Sequence, residues 1–72
     1  MKEIIKLYDY LDLNIDSVGN DIKHGYLSEH IGRDGQNYYW FLNAEVSGQC
    51  AAINTSTGEI LTDELKIEQL FC

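Results

Sequence analysis

Asn37-Tyr38-Tyr39-Trp40-Phe41-Leu42-Asn43-Ala44-Glu45-Val46 is the stretch whose reading decides the fold. Its run of four aromatics consists of the residue types that best fit a pleated, half-buried surface, so it reads as a strand at the centre of a sheet. Strand alternation sends Tyr38, Trp40, Leu42, Ala44 and Val46 to one, more apolar face, and Tyr39, Phe41, Asn43 and Glu45 to the other.

Working outward, Gly32-Arg33-Asp34-Gly35 just before it is a strong turn signal. Ahead of that turn, Ile22 to Ile31 carries two patterns. Ile22, His24, Tyr26, Ser28 and His30 alternate with Lys23, Gly25, Leu27, Glu29 and Ile31, while Leu27 and Ile31 also suit a helix. Gly25 disfavours helix, and the segment is assigned as strand. Downstream, Ser47-Gly48-Gln49 turns the chain into Cys50-Ala51-Ala52-Ile53, and Asn54-Thr55-Ser56-Thr57-Gly58 turns it into Glu59-Ile60-Leu61. An antiparallel meander of three or four strands results.

The ends read as helices. Ile4, Ile5, Tyr8 and Leu11, with Leu7 nearby, fall at spacings of three and four, and the turn formers Asn14 and Asp16 to Asp21 end the helix close to Leu13 or Ile15. At the other end, Thr62 or Asp63 can cap a short helix whose apolar face is Leu65, Ile67, Leu70 and Phe71, with Glu64 in its first turn. The fold class is therefore α+β, a single domain over residues 1–72 with an N-terminal helix, the meander and a short C-terminal helix. Each element has one apolar side to hide, so both helices are expected on one face of the sheet. Tyr39 and Phe41 would then form an exposed aromatic strip flanked by carboxylates, the kind of patch that marks a contact site. The alternative is a curled sheet that buries both faces.

Composition bounds the function. The 72 residues hold twelve acidic and five basic side chains and no proline, for a net charge of -7, with 44% apolar and 24% charged residues. That is globular rather than disordered composition. A domain of about 60 residues buries only about 60% of the surface its unfolded chain exposes, so modest stability is expected. The apolar runs fall far short of the ~20 residues that cross a bilayer. Met1-Lys2-Glu3-Ile4-Ile5-Lys6 runs on into Asp9 and Asp12, which reads as neither signal nor anchor. The expected location is the cytoplasm, where Cys50 and Cys72 stay reduced, Cys50 as a small buried hydrophobe and Cys72 without a role. The negative surplus argues against docking to membranes or directly to nucleic acid, and points to cationic partners.

No motif supports chemistry. His24 and His30 are not spaced as the closely set ligand pairs of structural zinc sites, nor are Cys50 and Cys72. Cys50 with His24 or His30 formally makes a nucleophile and a base, but nothing local supports the pairing. The glycines are scattered through turns rather than gathered into a phosphate loop. Adjacent Asp63 and Glu64 point to different helix faces, which suits capping rather than acid–base work. The chain is read as non-enzymatic, with no cofactor and no metal.

The sharpest charged feature is Asp9, Asp12 and Asp16, which a helix persisting to Asp16 would align in one stripe able to imitate a nucleic-acid backbone. A solvated helix face is the plainer meaning of such a run. The candidate partner-binding residues are Asp9, Asp12, Asp16, Tyr39, Phe41 and Glu45. The reading they support is a small acidic inhibitor or binding protein that occupies a basic, nucleic-acid-binding type of surface on a larger protein. In type it is analogous to the antirestriction and anti-CRISPR proteins of phages and mobile elements, or to immunity proteins; no stretch matches a particular family. The surplus of Ile, Asn, Tyr and Lys over Arg and Pro fits an AT-rich bacterial or phage coding sequence. The alternative is a structural or self-associating accessory domain, such as a homodimer paired through a strand edge or the aromatic face.

Overall fold

A computed structural model describes residues 2–43 and 49–71. Helix α1 (Lys2–Leu11) is followed by a short 3-10 turn (Ile15–Ser17), α2 (Val18–Lys23), strands β1 (Leu27–Ile31), β2 (Asn37–Leu42), β3 (Cys50–Asn54) and β4 (Ile60–Leu61), and helix α3 (Glu64–Phe71). The four strands form one antiparallel sheet in sequence order. Leu27 pairs with Phe41 and Ile31 with Asn37; Tyr38 pairs with Asn54 and Leu42 with Cys50; Ala52 pairs with Leu61. The meander, the N-terminal helix and the short C-terminal helix are as the sequence indicates.

The helices do not share a face, which corrects the expected packing. Residues Ile4, Leu7 and Tyr8 of α1 close over Leu27, Phe41, Ala51 and Ile53 on one side of the sheet. On the other side Ile67 of α3 packs with Tyr38 and Ala52, and Trp40, Leu70 and Phe71 adjoin them. The reason lies in β3, whose residues from Ala51 to Asn54 are all buried. It offers Ala51 and Ile53 to one face and Ala52 to the other, so both faces are apolar enough to need a cover. Alternation then decides the fate of the aromatic strand. Phe41 is 2% exposed, with the Tyr8 ring set edge-on at 5.7 Å. Trp40 stacks on Phe71 at 5.2 Å on the opposite side.

Three boundaries also differ from expectation. Helix α1 stops at Leu11, because Asp12 adopts a positive φ of 57°. The bonds Asp12 N–H to Asp9 C=O and Leu13 N–H to Tyr8 C=O then complete a Schellman ending. The turn-former stretch after it is a 3-10 turn running into α2, opened by Asn14, whose side chain accepts from Asp16 N–H. The segment Ile22 to Ile31 divides between helix and strand at Gly25 (φ 81°), where Gly25 N–H bonds Ile22 C=O and Tyr26 N–H bonds Asp21 C=O. Of the expected strand, Asn37 to Leu42 is β; Ala44, Glu45 and Val46 lie outside the described residues, as do Ser47, Gly48 and Cys72. Asp63 caps α3, its carboxylate accepting from Leu65 N–H at 3.0 Å.

Candidate interaction surface

The acidic residues of the sequence stripe sit at the end of α1 and just beyond it. Asp9 lies in the last turn, Asp12 is the residue of positive φ that stops the helix, and Asp16 lies in the 3-10 turn; all three are exposed. Because the chain turns at Asp12, they do not form one helical stripe, which corrects that geometry. They do gather negative charge on the stretch of chain that ends α1 and leads into α2. The cations of the same helix, Lys2 and Lys6, sit toward its start, and its last turn contains no basic residue. A helix dipole is stabilised by anions at its N-terminus and cations at its C-terminus, so the charge order of α1 runs largely against its own dipole, Glu3 excepted. Lys6 donates to Gly58 C=O at 2.7 Å and so has a structural use in tying α1 to the β3–β4 turn. Among the described residues, the Asp9 and Asp12 carboxylates make no comparable bond.

Other acids are engaged by the fold. Asp21 accepts from the Tyr8 hydroxyl at 2.5 Å, and burial first, then this bond and the carboxylate charge, push the Tyr8 phenol well above its usual range. Asp34, in the β1–β2 turn, accepts from the Tyr38 hydroxyl at 2.6 Å and from Gln36 N–H at 3.0 Å. Those bonds, the Tyr38 one foremost, hold its carboxyl below the ordinary range.

The aromatic candidates separate. Phe41 is core, beneath α1, and offers nothing to a partner in the folded protein. Tyr39 is half-buried and lines a groove of about 240 Å³ with Ile22, Leu27, Ser28 and Glu29. Glu45 lies outside the described residues. Ile22 is 56% exposed and Ile31 73% exposed, so the sheet face that α1 covers at Phe41 is apolar but open beside β1. Sequence reasoning missed Ile22, Glu29 and Ile31. The signal was present in the alternation Leu27, Glu29, Ile31, but reading the strand from Ile22 onward hid the helix end that separates them.

On the α3 side, His30 lies edge-on to Trp40 at 5.4 Å, and its Nε2 is 2.8 Å from Ser28 Oγ. The Trp40 indole N–H is buried without an acceptor among the described residues. A second groove, about 310 Å³, runs between Trp40, Leu42 and Cys50 of the sheet and Glu64, Ile67 and Glu68 of α3. Cys50 is a free, half-buried thiol rather than a fully buried one. Among the described residues no three His, Cys, Asp or Glu side chains gather as metal ligands would, and no helix is long and apolar enough to cross a membrane.

Comparison of the chain with protein-family models, with curated proteins and with solved structures finds no match in any of the three.

Proposed function

We propose that this chain is a small acidic binding protein, without catalytic activity of its own, that occupies a basic surface of a larger protein of the kind that handles nucleic acid. One observation carries the reading. Asp9 and Asp12 occupy the C-terminal end of α1, where the helix dipole disfavours carboxylates, and Asp12 also takes a positive φ that glycine adopts more readily than aspartate. Places where a sequence breaks a local rule without structural gain are the places to look for function. With Asp16 they put three exposed carboxylates on one short stretch of chain, and negative charge is what lysine- and arginine-lined grooves accept from phosphates. An inhibitor of phage or mobile-element type, or an immunity protein, acts in this way.

The test is capture from bacterial lysate by the tagged protein at low and high salt, beside a variant carrying Asp9→Asn, Asp12→Asn and Asp16→Asn. The expected result is a basic nucleic-acid-processing protein that the parent retains at low salt, releases at high salt, and that the variant fails to retain. Equal recovery by parent and variant would overturn the assignment of these residues. Recovery of the chain alone would favour a self-associating accessory domain.

A further inference from the structure

The two edges of the sheet are finished differently. Strand β4 is only two residues long, one of the ordinary ways of blunting an edge. Strand β1 is five residues long, pairs regularly with β2 throughout, and contains no proline or bulge. Leu42 N–H bonds Tyr26 C=O, and Gly32 N–H bonds Gln36 C=O, at the two ends of this pairing. The alternation of antiparallel ladders therefore turns the backbone groups of Tyr26, Ser28, His30 and Gly32 toward β2, and those of Leu27, Glu29 and Ile31 outward. Among the described residues, no backbone hydrogen bond from outside the strands reaches those three. Exposed Ile31 and the Ile22–Tyr39 groove adjoin this open edge on the α1 side.

We infer that the open edge of β1 accepts an extended, basic segment of a partner protein as a fifth strand. The inference rests on the acidic-surface reading above and gives it a docking mode. Charge selects the occupant. In a two-fold pairing of β1 with a second copy, the register that uses the whole strand sets Glu29 directly opposite Glu29, between chains of net charge -7 each. Like charges directly opposite destabilise a strand pair, whereas lysine or arginine opposite Glu29 stabilises it. The neighbouring same-face positions lie opposite Leu27 and Ile31 and call for apolar side chains, the one opposite Leu27 lying over the groove. The segment thus reads apolar, any, Lys or Arg, any, apolar. Main-chain bonds supply affinity and the alternate side chains supply selection, as in other strand additions.

The probe is a capped seven-residue peptide of sequence KVTKTVK, titrated into isotope-labelled protein at low salt while amide exchange and chemical shifts are followed by nuclear magnetic resonance. The Glu29 and Ile31 amides should exchange freely in the protein alone and become protected on addition, with Ser28 and His30 protected throughout. Replacing the central lysine by glutamate should weaken binding about five- to tenfold. The exposed-site variant Glu29→Lys should reverse that preference, which separates strand pairing from loss of fold. Glu29 and Ile31 amides that are already protected in the free protein would overturn the inference, as would absence of peptide binding. Binding that shifts only Asp9, Asp12 and Asp16 and leaves the β1 amides unprotected would also overturn strand addition, while leaving the acidic-surface reading intact. Loss of partner capture by the triple aspartate variant, with capture unchanged for Glu29→Lys, would separate the two in the same sense.

Discussion

Helices α1 and α2 end in the same way with different residues. Each closes with a residue of positive φ followed by a bond reaching back five residues into the helix, but the residue is Gly25 after α2 and Asp12 after α1. At Gly25 the sequence serves the backbone: a left-handed conformation costs most residues about 1–2 kcal/mol and glycine almost nothing. At Asp12 it serves the backbone less well, since aspartate tolerates this conformation better than most residues but not as glycine does, and the aspartate is misplaced for the helix dipole. A contrast of the same kind runs along β2. Phe41 fills the core under α1, while Tyr39, two residues away on the same face, lines an open groove. A helix about 10 Å wide, packed over β3, cannot cover four strands set about 4.8 Å apart, so the sheet face beside β1 stays open. Residues on the covered ground are chosen by folding. Those on the open ground are free to be chosen by something else.

The largest test of this division is on β2. Phe41→Ala should cost about 3–5 kcal/mol. A chain this size has roughly 4–11 kcal/mol of stability, so from about a quarter of it upward would be lost. Tyr39→Ala should cost about 1 kcal/mol or less. Denaturant titration measures both, and equal losses would remove the contrast. Next come the helix ends, with opposite signs. Gly25→Asp should destabilise by about 1 kcal/mol through φ and the helix dipole rather than through a clash, since an added Cβ there meets nothing within 4 Å. Asp12→Gly should stabilise by about 1 kcal/mol. If Asp12→Gly destabilises instead, the carboxylate has a structural role and the comparison fails. Smaller still, Asp9→Lys should stabilise by about 0.3–1 kcal/mol at low salt, less as salt is added, by restoring the charge that the dipole prefers.

The smallest effect concerns an acid that the fold does use. Asp34 is held below the ordinary carboxylate range, so its contribution is present above that range and is lost as pH falls from it through the lowered value of the folded protein. Unfolding curves taken from neutral pH down to about 2 should lose part of their acid slope in Asp34→Asn. An acid slope unchanged in Asp34→Asn would mean that the fold does not draw on this carboxylate.

Local chemistry was legible in the sequence; coverage was not. The periodicity of Ile4, Ile5, Tyr8 and Leu11 with Leu7 nearby, the turns at Gly32 to Gly35 and Asn54 to Gly58, and the Asp63 cap all follow from residue types at short range, and the structure has each of them except that Ile5 is left exposed. Helix α2 was not legible, because Gly19, Asn20 and Asp21 are poor helix formers and six residues give little periodicity to count. The stop at Asp12 was hidden for a related reason, since aspartate does not announce a positive φ as glycine does. Which helix covers which face depends on the small residues Ala51 and Ala52 of β3, whose importance appears only once both faces are packed. For the candidate surface, the aspartates were visible as residues, but their arrangement around a helix end and the open edge of β1 required the fold.

The most direct measurement is the unfolding free energy of the protein carrying Asp9→Asn and Asp12→Asn, the two carboxylates at the C-terminal end of α1, compared with the parent at low and at high salt. If these carboxylates are kept against the interest of the fold, the variant is the more stable of the two by about 1 kcal/mol at low salt, and the gap narrows as salt screens it. A variant less stable than its parent would mean that the acids hold the structure together, and would contradict the account.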